Sequence, residues 1–379
     1  MTAPTPFFLL SQNRRLSARE LERAVRLLGE VRVLTDNREQ FVAANNLDPD
    51  FCLPRGNFAA GADPETGPVA SYRRAGRAFE ENPQRLQTLR FHTGDFTGFS
   101  ILNGKRADKL GAGDNLTCEA PPDFDQTLPA LISRYDFLPR WQYLMLHTPL
   151  TQVFAPPPIC GEVGWDYAGI IVNHDTLAYQ ERVTLLHHFG VFKFLDQIIA
   201  KRGFARVLEI GGGYGALGCH IKRVRPQVAY TICDLPEAMY LSAPYVSFLH
   251  PELSIRFVTT PDADTDALDG FYFMPNYALP LAVVGRRYDL VLNTLSLSEL
   301  SAHQICRYAE TISQLIGGDG AFFEQNFDNS SDGMEDCKKY LPRYFLRRTS
   351  GKPDSMVLIQ GTPDLWSNGR WDGLGPTGR

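Results

Sequence analysis

The chain lacks the features that would tie it to nucleic acid, a membrane or a disulfide framework. Its 38 lysines and arginines are outnumbered by 43 aspartates and glutamates, for a formal net charge of −5, whereas a protein that grips a phosphate backbone needs a basic surface. No nucleic-acid partner is expected. Seven cysteines are scattered without a CxxC pair or a Cys/His spacing, so reduced thiols in a cytoplasmic protein are expected rather than zinc or disulfides. Phe7-Phe-Leu-Leu10 is too short an apolar run for a secretory leader or a membrane span. No internal repeat stands out, and the sequons at Asn115 and Asn329 read as chance matches in such a protein.

What is present is the balance of a chain that buries a large core, with 44% hydrophobic and 21% charged residues. Its 379 residues favour two domains. Residues 1–155 read as a mainly helical, loop-rich accessory unit suited to a lid or to dimerisation. An early helix is announced by Ser17-Ala-Arg-Glu20, a capping box ahead of Leu21, Val25, Leu27 and Leu28. Helical sequence from Leu128 to His147 is expected to break at Pro139, and Ala155-Pro-Pro-Pro158 forms a joint. Residues 156–365 form the second domain, with an apolar helix over about 178–200. The glycine-rich stretch 366–379 reads as a flexible tail.

The second domain carries the chemistry. In Arg206-Val-Leu-Glu-Ile-Gly-Gly-Gly-Tyr-Gly-Ala-Leu-Gly218 an apolar strand contains an acid near its end, Glu209, and empties into a turn where Gly211, Gly213 and Gly215 alternate. A helix over 216–224 then aims its free N–H groups at the turn, which is how a nucleotide pocket is built. Gly213-Tyr-Gly215-Ala-Leu-Gly218 also fits the dinucleotide pattern GxGxxG, with Asp234 at a suitable distance for a ribose-binding acid. Glu209 separates the two readings. A carboxylate there repels a pyrophosphate, but it suits a ligand that carries a sulfonium and an α-amino group, both positive. The segment therefore resembles motif I of the class I S-adenosylmethionine-dependent methyltransferases, with an NAD(P)-dependent oxidoreductase as the alternative.

The following segments extend that resemblance. Strands are expected at 229–234, 254–259, 288–293 and 320–326, alternating with helices, then an antiparallel pair, 344–349 and 355–360, joined through Gly351-Lys-Pro. The expected fold is α/β: a Rossmann-like class I methyltransferase sheet closed by a C-terminal antiparallel hairpin, which a dinucleotide fold lacks. Asp234 would take the ribose hydroxyls, Leu235 would turn the chain past the adenine, and Asn293 would stand beside the sulfonium.

A narrower resemblance rests on five stretches: Cys160-Gly-Glu-Val-Gly-Trp165, Val172-Asn-His-Asp-Thr-Leu-Ala-Tyr-Gln-Glu-Arg182, Ile210-Gly-Gly-Gly-Tyr-Gly215, Cys233-Asp-Leu-Pro-Glu237 and Asn293-Thr-Leu-Ser-Leu-Ser-Glu299. In this order and spacing they are similar to a bacterial family of sugar O-methyltransferases, over about residues 130–330. The resemblance implies methyl transfer to a hydroxyl of a sugar or another small natural-product metabolite, with N- or C-methyl transfer as the variant. In-line displacement asks for alignment and a base. Glu299 and His303, spaced i,i+4 after the fourth strand, would share one helix face as base and orienting partner, and His174 is the other candidate base. Tyr179 is expected at the cofactor carboxylate, and Asp175, Arg182 and Trp165 toward the acceptor. Each also has a plain structural role open to it: Glu299 as a helix-start acid, His303 as a solvated residue, His174 and Asp175 as a cap cluster. Asp262-Ala-Asp264-Thr-Asp266 lacks the glycine and distant glutamate of a calcium loop, so no metal is expected. A homodimer through the N-terminal helices is the default assembly. A catalytically silent partner subunit is the reading that an intact glycine turn argues against.

Overall fold

The computed structural model describes residues 7–52, 68–97, 101, 125–128, 137–261, 263–332 and 334–369. Three short strands, β1 (Phe7–Phe8), β2 (Gly164–Tyr167) and β3 (Ile170–Val172), pair antiparallel in the order β1-β2-β3. A larger sheet holds β4 (Ala205–Ile210), β5 (Val228–Asp234), β6 (Ser254–Phe257), β7 (Gly270–Pro275), β8 (Leu290–Thr294), β9 (Ala321–Gln325), β10 (Arg347–Ser350) and β11 (Pro363–Ser367). Their order is β10-β11-β9-β8-β4-β5-β7-β6, parallel from β9 to β6, with β11 antiparallel to β9 and β10 antiparallel to β11. The central strands are apolar and buried along their length, as a parallel sheet covered by helices on both faces requires. From β4 the chain builds outward through β5, β6 and β7, then returns to the other side of β4 with β8. A crevice therefore opens at the carboxyl ends, where the winding reverses.

The helices are α1 (Ala18–Asp36), α2 (Arg38–Ala44), α3 (Pro68–Glu81), α4 (Phe137–Leu146), α5 (His174–His188), α6 (Val191–Arg202), α7 (Ala216–Val224), α8 (Pro236–Leu249) and α9 (Ala302–Ile316). The capping box opens α1 as expected, with the Ser17 N–H donating to the Glu20 carboxylate at 2.8 Å and the Glu20 N–H to Ser17 Oγ at 3.3 Å. Leu21, Ala24, Leu28 and Val31 turn the inner face of α1 onto α8, which α3 also covers; each fully buried Leu or Val contributes about 1.5–3 kcal/mol. Glu237, in the first turn of α8 and wholly buried, receives Arg38 from α2 and Arg73 from α3, the latter at 2.7 Å. Phe7 pairs with Trp165, so strand pairing crosses the boundary expected near residue 155.

Several expectations give way to local physics. A strand absent from the sequence reading, β7, separates the edge strand β6 from β5; its Phe271 and Tyr272 are core residues at 0% exposure. The closing hairpin uses β10 and β11 rather than 355–360. Glu181 captures the Ile359 and Gln360 N–H groups at 2.8 and 3.1 Å, so that segment clasps α5 as a loop. The flexible tail expected from 366 begins inside β11, where Trp366 is 1% exposed; residues 370–379 lie outside the described residues. The helix expected over 178–200 is two, α5 and α6, divided at Gly190 with φ +71°. Pro139 lies in the first turn of α4, where a missing N–H costs nothing.

Candidate functional site

The glycine turn follows β4 at the crevice. Gly211 and Gly213 take φ of +74° and +57°, a region that admits glycine without a Cβ penalty. Protein side chains close the space around them. A Cβ on Gly211 would meet Ser296 Oγ at 2.2 Å, and one on Gly213 would meet Phe96 at 3.0 Å. Gly215 is the N-cap of α7, and its N–H closes the turn onto the Gly212 carbonyl at 2.9 Å.

Two acids flank the turn. Glu209 is 2% exposed and accepts the Tyr230 hydroxyl at 2.9 Å; burial pushes its pKa up to about 8, partly opposed by that hydrogen bond and by Arg182. Asp234, at the end of β5, accepts the Gly213 N–H at 3.1 Å and the Leu235 N–H at 2.7 Å. Burial raises it to about 7 against those two donors. Arg182, from α5, is 2% exposed and donates through Nε to Gln360 at 2.9 Å, while its Nη2 has no hydrogen-bond partner among the described residues. Its guanidinium lies 4.7 Å over the Tyr179 ring, which is itself core, stacked on Phe154 and edge-on to Tyr214. A buried carboxylate lacking a direct ion pair and a guanidinium with a vacant donor thus share one environment, which suits a zwitterion.

On the far side of β4, Asn293 is fully buried and spends its amide on the Ile210 carbonyl at 2.9 Å, on Ser296 and on the Leu297 N–H at 3.3 Å. Leu295 beside it takes φ +71°, a strained conformation for a side chain of that size, and it swings residues 296–299 toward Gly211. Glu299 ends this 3-10 turn, Leu300 is extended, and α9 begins afresh with Ser301 and Gln304 as a capping box. The single helix face expected to carry Glu299 and His303 does not exist, because the capping box places the helix start between them. His303 instead bonds Asp48 at 2.8 Å with its side chain 54% exposed.

His174 is the first residue of α5; it is 4% exposed, and burial lowers its pKa to about 4, which keeps the imidazole neutral. Asp175 is committed elsewhere: it receives Arg90 at 2.6 Å, Tyr214 at 2.7 Å and Thr97 at 2.5 Å, with no exposure at all. A carboxylate so occupied has little left for an acceptor. Trp165 stands in the small sheet with its ring 4.1 Å from Phe7. Arg90, Phe96 and Thr97 reach the turn from a segment in which the sequence reading saw no site residue; the string around them carries no periodic or motif signal.

The acidic run lies apart. Asp266 is held by Arg206 at 2.6 Å and Asp264 accepts the Asp266 N–H; Asp262 lies outside the described residues. Arg206, Asp264 and Asp266, with Arg286, Arg287 and Tyr288, line a cleft of about 630 Å³ at the amino ends of β4 and β8, opposite the glycine turn. Among the described residues no group of three His, Cys, Asp or Glu is arranged to hold a metal ion, and no helix is long and apolar enough to cross a membrane.

No protein-family model and no curated protein matches the chain. Solved structures that overlap it include an O-methyltransferase family protein from Burkholderia thailandensis (15% identity, TM-score 0.34, 52% of this chain and 62% of that one). A provisionally named O-methyltransferase from Nostoc punctiforme PCC 73102 overlaps at 11% identity with a TM-score of 0.33, over 50% of this chain and 59% of that one. The N-methyltransferase NodS from Bradyrhizobium japonicum WM9, in complex with S-adenosyl-l-homocysteine, overlaps at 11% identity and TM-score 0.31, over 48% and 85% of the two chains. The chain thus spans about three fifths of the length of the first two. Overlaps this slight leave any functional reading to rest on the chain's own residues.

Proposed function

We propose that the chain is an S-adenosylmethionine-dependent methyltransferase acting on a hydroxyl of a small metabolite, of which a sugar is one candidate. The observation that carries the reading is the incomplete pairing of Glu209 and of Arg182, two buried groups that feel each other's charge without a direct ion pair. Among the described residues Glu209 has only the Tyr230 hydroxyl as a hydrogen-bond partner, and Arg182 keeps a buried Nη2 without one. Both fit the amino acid part of the cofactor, whose amine is a donor for the carboxylate and whose carboxylate is an acceptor for the guanidinium. Asp234 retains lone pairs for ribose hydroxyls beyond its two backbone donors. Asn293 acts indirectly, by fixing Ser296 and the strand ends that line the crevice.

The cofactor supplies an electrophilic methyl group. Its transfer would exchange the carbon–sulfur bond for a carbon–oxygen bond and leave the acceptor's proton for a base of the chain to take. Among the candidate bases, His174 stays neutral near pH 7 and so is able to accept that proton, although a pKa of about 4 makes it a weak base; Glu299 lies in the turn after β8. N- or C-methyl transfer would use the same cofactor site. The oxidoreductase alternative would hold Glu209 protonated beside an anionic pyrophosphate and give the acid no cationic partner.

Isothermal calorimetry with S-adenosylhomocysteine and, separately, NADH tests the reading. Binding of the first alone is expected; binding of NADH alone would replace the methyltransferase by an oxidoreductase.

A further inference from the structure

We propose that Phe96, from the short turn at Gly94–Phe96 between β1 and β2, is a wall of the cofactor site and packs its ring against the nucleoside held at Asp234. The inference rests on the cofactor reading above and adds to it a ligand contact outside the glycine turn and its two acids.

Three observations converge on this residue. First comes placement. Phe96 seats against Gly213, where a Cβ would lie 3.0 Å from its Cβ and Cγ, and the Gly213 N–H is the group that binds the Asp234 carboxylate at 3.1 Å. Gly213 thus touches both Phe96 and the carboxylate assigned to the ribose. Second is exposure. Tyr72 stacks on Phe96 at 4.9 Å and Tyr214 lies 6.3 Å away, yet Phe96 remains only half-buried while Arg90, Thr93 and Thr97 around it are 0% exposed. Among the described residues, part of its apolar surface beside the Gly213 turn is left uncovered, and a flat ligand surface would cover it.

Third is the rigidity of its mounting. Arg90 is wholly buried, bonded to Glu162 at 2.7 Å and Asp175 at 2.6 Å, with its guanidinium 4.2 Å from the Tyr214 ring centroid. Thr97 donates to Asp175 at 2.5 Å, and its carbonyl accepts from Gln360 at 3.0 Å. Gln360 in turn holds Arg182 at 2.9 Å. One strap, residues 90–97, thus fixes Phe96 over the turn and braces the guanidinium assigned to the cofactor carboxylate.

The test is calorimetric titration of S-adenosylhomocysteine into the full-length protein and its Phe96→Ala, Phe96→Leu and Phe96→Tyr variants, with thermal melting of each. Loss of the ring is expected to weaken binding about tenfold in F96A and somewhat less in F96L, while F96Y, which keeps the flat face, stays within about threefold of the parent. Melting temperatures close to the parent's separate this from a packing role, which would lower stability and leave affinity alone. F96L keeps most of the apolar volume and reads the same effect should F96A fold poorly. Parent binding with unchanged affinity in F96A and F96L overturns the inference and leaves the cofactor reading standing; no binding by the parent removes both.

Discussion

Glu237 and Glu209 are both buried acids at the helix-to-sheet interface, and they are partnered in opposite ways. Glu237 receives a guanidinium on each oxygen, from Arg38 and Arg73, and Glu181 is similarly satisfied by Arg140, Gln325 and two backbone N–H groups. Glu209 has one phenolic hydroxyl, and burial holds its pKa at about 8. Folding alone favours the first arrangement, since an under-compensated buried carboxylate opposes the native state. An acid left so at the end of the strand that feeds a glycine turn marks a place where a ligand completes the pairing. The cleft at the opposite end of the sheet shows the contrast again, because its Asp266 is matched by Arg206 within the protein.

The largest effect expected from this comparison is on stability, at the satisfied site. Arg38 is 4% exposed, so Arg38→Ala leaves Glu237 with only the more exposed Arg73 and should cost about 3 kcal/mol in urea denaturation. Affinity for S-adenosylhomocysteine should be nearly unchanged. A parallel fall in affinity would show that the two acids belong to one coupled unit and would dissolve the contrast.

At the unsatisfied site the signs reverse. Glu209→Gln should weaken S-adenosylhomocysteine by about 2–3 kcal/mol, the loss of a charged hydrogen bond, yet stabilise the empty protein near pH 8. The folded-state pKa of about 8 lies above the ordinary value of 4.5, so between those limits the folded chain holds a proton that the unfolded chain has released. Native stability therefore falls as pH rises from about 4.5 to 8 on account of this group. Glutamine removes that slope, and it also removes the rise in ligand affinity that accompanies ionisation of Glu209 over the same range. Melting curves and titrations at pH 6, 7 and 8 check both signs. An unchanged slope in the variant would assign the pH dependence to Asp234 or another group.

This contrast was half legible in the sequence. The run from Arg206 to Gly218 is local, and its strand, acid, turn and helix all appear where the pattern placed them, because each link depends on residues within a dozen positions. What surrounds the turn is not local. Phe96 and Arg90 arrive from more than a hundred residues upstream, and no spacing rule connects them to Gly213 or Asp175. The unseen β7 has a different cause: Gly-Phe-Tyr-Phe-Met-Pro is a short run with no alternation of apolar and polar residues, so only its place in the sheet marks it as a strand. The hairpin shift is tertiary as well, since a single carboxylate, Glu181, takes the N–H groups that residues 359 and 360 would have given to a strand.

The smallest effect is expected at His303, where the sequence and the fold part most clearly. The i,i+4 spacing to Glu299 made it a candidate base, but Ser301 and Gln304 start a new helix between the two and turn His303 to Asp48. Its side chain is more than half exposed, and a solvated pair of that kind contributes about 0.2–1 kcal/mol. His303→Ala should therefore lower stability by no more than that and leave S-adenosylhomocysteine affinity within about twofold, a change of less than 0.5 kcal/mol by the usual conversion. A larger loss of affinity would place the Asp48 and His303 pair within reach of the ligand and extend the unsatisfied region around the first turn of α9. Retention of affinity confines that region to the glycine turn, Arg182 and the strap above them.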